Sequence, residues 1–313
     1  MIAASVVVVG GGVIGASEIE ALRAGLRVQH AAGLTEAREV DAAEIAQLNP
    51  AVGAGGGGDP GVVAGGAFCP TDGFIRPLRI LEGYLGAARR LGTRIEWGIE
   101  VLGMTRGPGG RIVSVRTSRG QVAAGAVVNA AGAWAAGLAA MAGVELPVAP
   151  LRRQVALTEP CDLLPTAMPM TLFAGDGFHL RVRDGRVLLL LPTPGVLGKP
   201  FDARVDPEWI DAVAAIAAER VPTLRGAPIE RAACWAGLYE MSPDKHAIVG
   251  AAPGCENFYF ANGSSGHGVM HAPALGQLLA EIVTTGAATT LDAAALRPSR
   301  FDEGAPNPAS EVL

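Results

Sequence analysis

The chain has 313 residues, half of them apolar, with 25 basic against 30 acidic side chains and a formal net charge of −5. That length and apolar content support one large domain or two interleaved ones. The basic residues are scattered, without a patch interleaved with aromatics, which excludes a nucleic-acid partner, and the five His and four Cys show neither metal-ligand spacing nor a CxxC pair, which excludes a metal site.

Residues 5–18 read SVVVVGGGVIGASE. Val6 to Val9 predict a buried parallel strand, and residues 17–32 carry helical periodicity through Ile19, Leu22 and Leu26. Residues 41–48 predict a short helix with Asp41 as N-cap and Glu44 three later, stopped by Asn49-Pro50. Residues 53–66 read as a glycine-rich connector, and 77–91 as an amphipathic helix. Strands are expected at 94–103 and 111–117 about a Pro-Gly-Gly turn, then a buried strand at 127–131. Residues 122–144 are nearly free of polar side chains. Their Ala and Gly content and the break at Asn129 to Gly132 predict strand, turn and helix rather than a membrane span. Residues 152–158, 177–183 and 187–191 predict antiparallel strands, the last two a hairpin at Asp184-Gly185. A helix at 207–220, a strand at 258–261, a glycine-rich turn at 262–268 and a helix at 271–285 follow. The Pro-rich tail from 298 is expected to be loosely held. The dispersed cysteines, Cys69, Cys161, Cys234 and Cys255, with no leader segment, predict a cytoplasmic setting.

The first strand runs into Gly10-x-Gly12-x-x-Gly15, the pattern that seats a dinucleotide diphosphate over a helix N-terminus. Gly10 makes the tight turn, Gly12 admits phosphate to the backbone, and Gly15 lets helix pack on strand. Val13 and Ile14 lie inside the motif. The pattern alone does not choose between NAD and FAD.

Three further segments narrow the choice: VVNAAGAWA at 127–135, WAGLYEMSPDKHAIVG at 235–250 and NGSSGHGVMHAPALGQLLAEIVTTG at 262–286. With the first motif they resemble, in order, the FAD-dependent amine and amino-acid oxidoreductases of the D-amino-acid oxidase superfamily. The resemblance implies an α/β (α+β) fold, with a Rossmann-like FAD-binding domain assembled from residues 1–35, 92–149 and 236–297. An antiparallel-sheet substrate domain would comprise 36–91 and 150–235, with 298–313 as tail. It places Ala130, Ala131, Gly132 and Trp134 near the diphosphate and ribityl chain, though Trp134 equally suits a core aromatic. Gly263, Gly266, His267, Gly268, Val269 and Met270 would meet the flavin, where backbone N–H groups can stabilise charge at N1–C2=O. Asp244 would stand close by, or serve only as a turn residue after Pro243. Val101 would meet the adenine, or be a plain strand valine.

The implied reaction oxidises the C–N bond of a small amino acid or secondary amine by hydride transfer to flavin N5, giving an imine that hydrolyses. No catalytic acid or base is assigned. Arg181, Tyr239 and His271 are the candidate substrate contacts; Arg181 also suits an exposed strand, and His271, like His267, a helix start. Oxygen, a quinone or a partner subunit would take the electrons. Met270, where sarcosine-oxidase-type relatives place Lys, favours a dehydrogenase. A homo- or hetero-oligomer is compatible with the resemblance.

One departure stands out. The family completes its first helix, adds a second strand ending in an acid that grips the ribose, and follows with a Gly/Ser-rich loop. Here residues 18–50 resemble a later family segment, and several tens of residues have no counterpart. Either the helix after Gly15 serves without a true second strand, or the chain binds FAD poorly. Glu36 and Glu39 stand at roughly the right spacing for the ribose acid, but neither ends an apolar strand. A missing strand would also expose its neighbours' edges. The gap favours a second reading, a cofactor-poor, non-catalytic subunit of a hetero-oligomer. An NAD-dependent dehydrogenase would explain the first motif but not the last two.

Overall fold

A computed structural model describes residues 5–10, 15–53, 63–193 and 201–308. In chain order the first elements are β1 (Ser5–Gly10), α1 (Gly15–Ala31), β2 (Arg38–Asp41), α2 (Ala42–Leu48) and α3 (Pro50–Gly53). Next come β3 (Val63–Cys69), α4 (Pro77–Arg90), β4 (Val101–Arg106), β5 (Ile112–Thr117), β6 (Gly120–Ala123), β7 (Val127–Asn129) and α5 (Ala135–Met141). The middle block is β8 (Ala149–Leu157), β9 (Met170–Phe173), β10 (His179–Arg183), β11 (Arg186–Leu190) and α6 (Pro207–Arg220). The last are β12 (Trp235–Met241), β13 (Ile248–Ala252), β14 (Cys255–Asn262) and α7 (Gly268–Thr285).

Most strands join one eight-stranded sheet ordered β12-β8-β11-β10-β9-β1-β3-β2. Its core face is set by period-two alternation. On β10, Leu180 and Val182 are buried while His179, Arg181 and Arg183 turn the other way. Phe173, Phe178, Leu180 and Leu189 pack with Trp209, Val213 and Ala217 of α6. Asp206 caps α6, accepting from Glu208 N at 3.0 Å, ahead of Pro207 at the first helical position. The β10–β11 turn places Asp184 and Gly185 at φ 51° and 71°, as a two-residue hairpin of the expected kind requires.

Two three-stranded sheets, β13-β14-β7 and β4-β5-β6, form the other half. Ile112, Ala135, Ala139, Phe258 and Phe260 make their shared core. Buried Asn257 ties the sheets together, accepting from Ile112 N at 2.8 Å and donating to the Ile112 and Gly125 carbonyls. Residues 122–144 are strand, turn and helix as expected. Among the described residues no helix is long and apolar enough to cross a membrane.

The strand expected at 94–103 forms instead over Val101–Arg106, and three larger results differ from expectation. First, β1 hydrogen-bonds antiparallel to β3 and parallel to β9, so it lies in the large sheet and not beside β7 and β14. Connectivity explains this. Residues 32–37 are the whole link between α1 and β2, and β2 is paired to β3, so α1 is held at that side of the molecule. Second, the segment from 298 to 308 is anchored rather than loose: Arg300 is fully buried against Asp244. Third, α4 forms as its apolar stripe predicts but buries none of its residues, leaving Leu78 73% and Tyr84 54% exposed. A fully buried Leu contributes about 1.5–3 kcal/mol. The contact from the residue preceding α4, the exposed Arg76–Asp184 pair at 2.7 Å, is worth about 0–1 kcal/mol.

Candidate functional site

β7 and β14 are parallel neighbours, with Val127, Val128 and Asn129 opposite Phe258, Tyr259 and Phe260. Both therefore release their chains at the same edge, where open parallel sheets receive ligands. After β7, buried Asn129 fixes the turn by donating to Ala135 O at 2.9 Å and accepting from Ala131 N at 3.1 Å. Gly132 there has φ 55° and no atom within 4 Å of where a Cβ would stand. Ala130 is exposed, Ala131 half-buried, and Trp134 is 58% exposed and stacked on Phe201 with centroids 5.9 Å apart.

After β14, Gly263, Ser265 and Gly266 take φ 71°, 50° and 94° and turn the chain into α7. The turn is held against β12: Ser265 N donates to Glu240 O at 3.1 Å, and Ser264 bridges Met241. α7 begins at Gly268, three residues before the expected start; the His267 N–H donates to Ser264 O and the Met270 and His271 N–H groups to His267 O, and the helix turns its positive dipole end to this edge. Val269, Met270 and His271 are exposed on this first turn. His271 stacks on half-buried His267 at 5.8 Å; burial, then the charges of His267 and His246, push its pKa below the ordinary imidazole value.

The large sheet faces this turn through Tyr239, whose ring fills the space beside Gly266. Strand register places Tyr239 opposite Leu151, and Arg153 two residues on opposite Gly237. Continuing across, Leu157 opposes Leu188 and Leu188 opposes Arg181, so Tyr239, Arg153, His179 and Arg181 share the face away from the core. The Arg153 guanidinium lies 5.9 Å from the Tyr239 ring centre, and Arg181 lies 4.8 Å from that of Phe74. Both arginines are half-buried, and neither has a carboxylate partner among the described residues. Burial lowers the pKa of each. Burial also lowers that of His179; the Gly177 carbonyl opposes the shift, and the charges of Arg181 and Arg153 add to it. The face thus carries two guanidinium groups with no carboxylate partner among the described residues, beside an imidazole whose charged form is disfavoured, a set that can accept an anion.

Asp244 stands in the 242–246 turn, which is hydrogen-bonded to the 263–268 turn, and the other expected residues lie further off. Asp244, expected beside the cofactor, has both oxygens occupied by protein. Oδ1 accepts from Arg300 Nη2 and His246 N, and Oδ2 from Arg300 Nε and Asn307 N. Burial raises its carboxyl, but the Arg300 guanidinium and the two backbone N–H groups outweigh that and hold it well below the usual range. It is a structural anchor. Val101 opens β4, half-buried opposite Thr117. Gly10 ends β1 and Gly15 begins α1, in the large-sheet half; Gly12, Val13 and Ile14 lie outside the described residues. Glu39, near the spacing of a ribose acid, is engaged by Arg23 at 2.7 and 2.9 Å.

The fit to FAD is therefore divided. The two turns, the head of α7 and the exposed Trp134, Val269 and Met270 suit the flavin end. The adenosine end lacks its strand among the described residues: β14 pairs only with β13 and β7, and β1, which ends at Gly10, pairs instead with β3 and β9. Arg153 was missed in the sequence, although an Arg sharing strand parity with Val155 and Leu157 in APLRRQVAL was a usable signal.

The model of the FAD dependent oxidoreductase family, DAO, matches residues 16–282. The chain is 35% identical over 203 residues to the glycine oxidase of Pseudomonas aeruginosa, covering 64% of this chain and 52% of that protein. It is 32% identical over 241 residues to the hydrogen cyanide synthase subunit HcnC of the same organism, covering 76% of this chain and 55% of HcnC. It thus spans about half the length of the curated relatives it matches. Among solved structures, L-proline dehydrogenase from P. horikoshii superposes with TM-score 0.85 at 25% identity, over 98% of this chain and 78% of that one. Glycine oxidase from Geobacillus kaustophilus superposes with TM-score 0.80 at 22% identity, over 96% of this chain and 75% of that one.

Proposed function

Since the chain belongs to the DAO family of FAD-dependent oxidoreductases, we propose that it oxidises the C–N bond of a small amino acid or carboxylate-bearing secondary amine. The observation that carries this reading is the pair of half-buried, acid-free guanidinium groups, Arg153 and Arg181, on the sheet face that also presents Tyr239 to the Gly266 turn. FAD, when bound, supplies the hydride acceptor. The protein's part is to hold and orient. Arg153 and Arg181 take the substrate carboxylate, with Tyr239 donating one further hydrogen bond. That grip points the substrate nitrogen and Cα toward the 263–268 turn. The N–H groups at the head of α7 stabilise negative charge developing on that side. The amine reacts in its neutral form, so no protein base is required, and the imine product hydrolyses in water. Oxygen, a quinone or a partner subunit is the electron acceptor.

The test is a panel of amino acids and secondary amines, assayed with added FAD and a dye acceptor, each beside its analogue lacking the carboxylate. Turnover confined to the carboxylate-bearing members supports the reading. Equal turnover of both sets removes the arginine role. A second reading, a cofactor-poor subunit acting through a partner, is favoured by the position of β1 and the uncovered α4. It predicts colourless protein that takes up no added FAD.

A further inference from the structure

The 263–268 turn contains a non-glycine residue in the left-handed region, Ser265 at φ 50°, between two glycines also at positive φ. Such a conformation persists only where its surroundings over-determine it. The surroundings are a chain of hydrogen bonds that begins at the far end of the sequence. Arg300, fully buried, grips Asp244 through Nε at 2.8 Å and Nη2 at 2.9 Å, and Nη2 also donates to His246 O at 3.0 Å. Asn307 adds its backbone N–H to Asp244 Oδ2 at 3.0 Å and donates from Nδ2 to Ala295 O at 2.8 Å. Asp244 in turn receives His246 N at 3.1 Å, closing the 242–246 turn, and Ser242 Oγ lies 2.7 Å from His246 O. From that turn, Ser242 N donates to Ser265 Oγ at 3.1 Å, and Ser265 Oγ donates to Gly263 O at 2.9 Å. The fit is close: a Cβ on Gly263 would stand 3.0 Å from Ser242 Cβ.

We infer that Arg300 is a positioning residue: through Asp244 and the Ser242–Ser265 link, the segment 297–307 sets the pitch of the 263–268 turn that faces the flavin. The step to the flavin rests on the function proposed above; the mechanical link between the two segments does not. A planar, forked guanidinium suits the task because it meets both carboxylate oxygens and a carbonyl in one plane, which an ammonium group cannot do.

The experiment is amide hydrogen exchange on the full chain without added cofactor, comparing wild type with Arg300→Met, Arg300→Lys and Ser265→Ala. In Arg300→Met, exchange at 242–246 and 263–268 should rise at least about tenfold, with residues 258–260 of β14 unchanged. Arg300→Lys should restore little of the loss. Ser265→Ala keeps the ion pair and should loosen 263–268 alone; it carries the test if Arg300→Met does not fold. The inference is overturned if Arg300→Met loosens only 242–246 and 297–307, or if Ser265→Ala leaves 263–268 protected. The visible band of added FAD gives a second readout. The band should shift in Ser265→Ala relative to wild type, and an unchanged band with loosened amides would deny the link to the flavin. Failure of the wild type to bind FAD would count against the proposed function and leave the exchange result standing.

Discussion

The Tyr239 ring occupies the space a side chain on Gly266 would need: a Cβ there would stand 2.7 Å from Tyr239 Cε2. The turn at the head of α7 and the outward face of the large sheet are thus in direct contact, and the contact requires glycine for two reasons. One is the ring; the other is φ 94° at Gly266. Gly266→Ala is expected to cost about 1–3 kcal/mol from backbone strain alone, before the clash. Tyr239→Ala in the same chain should recover the clash but not the strain. Thermal melts of the two single variants and the double variant check this; full recovery in the double variant would show that strain contributes nothing.

Arg153 and Arg181 are expected to bind substrate rather than accelerate chemistry. Losing a charge-assisted hydrogen bond costs about 1.5–3 kcal/mol, roughly a tenfold to hundredfold effect. Arg153→Leu and Arg181→Leu should each raise KM for a carboxylate substrate by that factor and change kcat less. Steady-state kinetics on a carboxylate substrate and on its amide decide the matter, since the amide should be indifferent to both substitutions.

The Asp244–Arg300 pair gives stability a defined pH dependence. Asp244 has a depressed folded pKa, so its contribution is complete above the ordinary carboxylate value of about 4 and is lost as pH falls through the folded value. Asp244→Asn should be less stable at pH 7 by about 3–5 kcal/mol, because it leaves Arg300 buried and unpaired. The gap should narrow at acid pH. Urea unfolding of both proteins between pH 7 and pH 3 measures this; a gap that widens toward acid would reverse the sign.

The apolar face of α4 bears no folded-state load. Leu78→Lys and Leu81→Glu should change stability by no more than about 0.5 kcal/mol, as for other exposed positions. They should reduce binding of an apolar dye and self-association at high concentration. A melt lowered by several degrees in either variant would mean that the face is covered in solution.

Local chemistry made much of the fold legible in the sequence. The Asp184-Gly185 hairpin, the Pro207 start of α6, and the strand–turn–helix at 127–141 follow from residues that act within a few positions of themselves. What was not legible depends on distant partners. Four consecutive valines specify a strand but not its neighbour, and β1 pairs where residues 32–37 allow α1 to reach. The value of Asp244 was hidden because its partner stands 56 residues away in a Pro-rich tail that composition alone marks as loose. Arg153 was hidden because only cross-strand register puts it on the face of Arg181 and Tyr239.

On the function proposed above, the turns after β7 and β14 would hold the flavin, while β1, which ends at Gly10, pairs with β3 and β9 and would leave the adenosine half ungripped. Titrating the purified chain with FAD and, separately, with flavin mononucleotide tests it most directly, because the two ligands share the flavin and differ in the adenosine half. Protein fluorescence quenching should give two dissociation constants within about tenfold of each other, a difference of about 1.4 kcal/mol or less, with both ligands lost on gel filtration. FAD retained stoichiometrically through extensive dialysis, with a preference of a hundredfold or more over flavin mononucleotide, would contradict it.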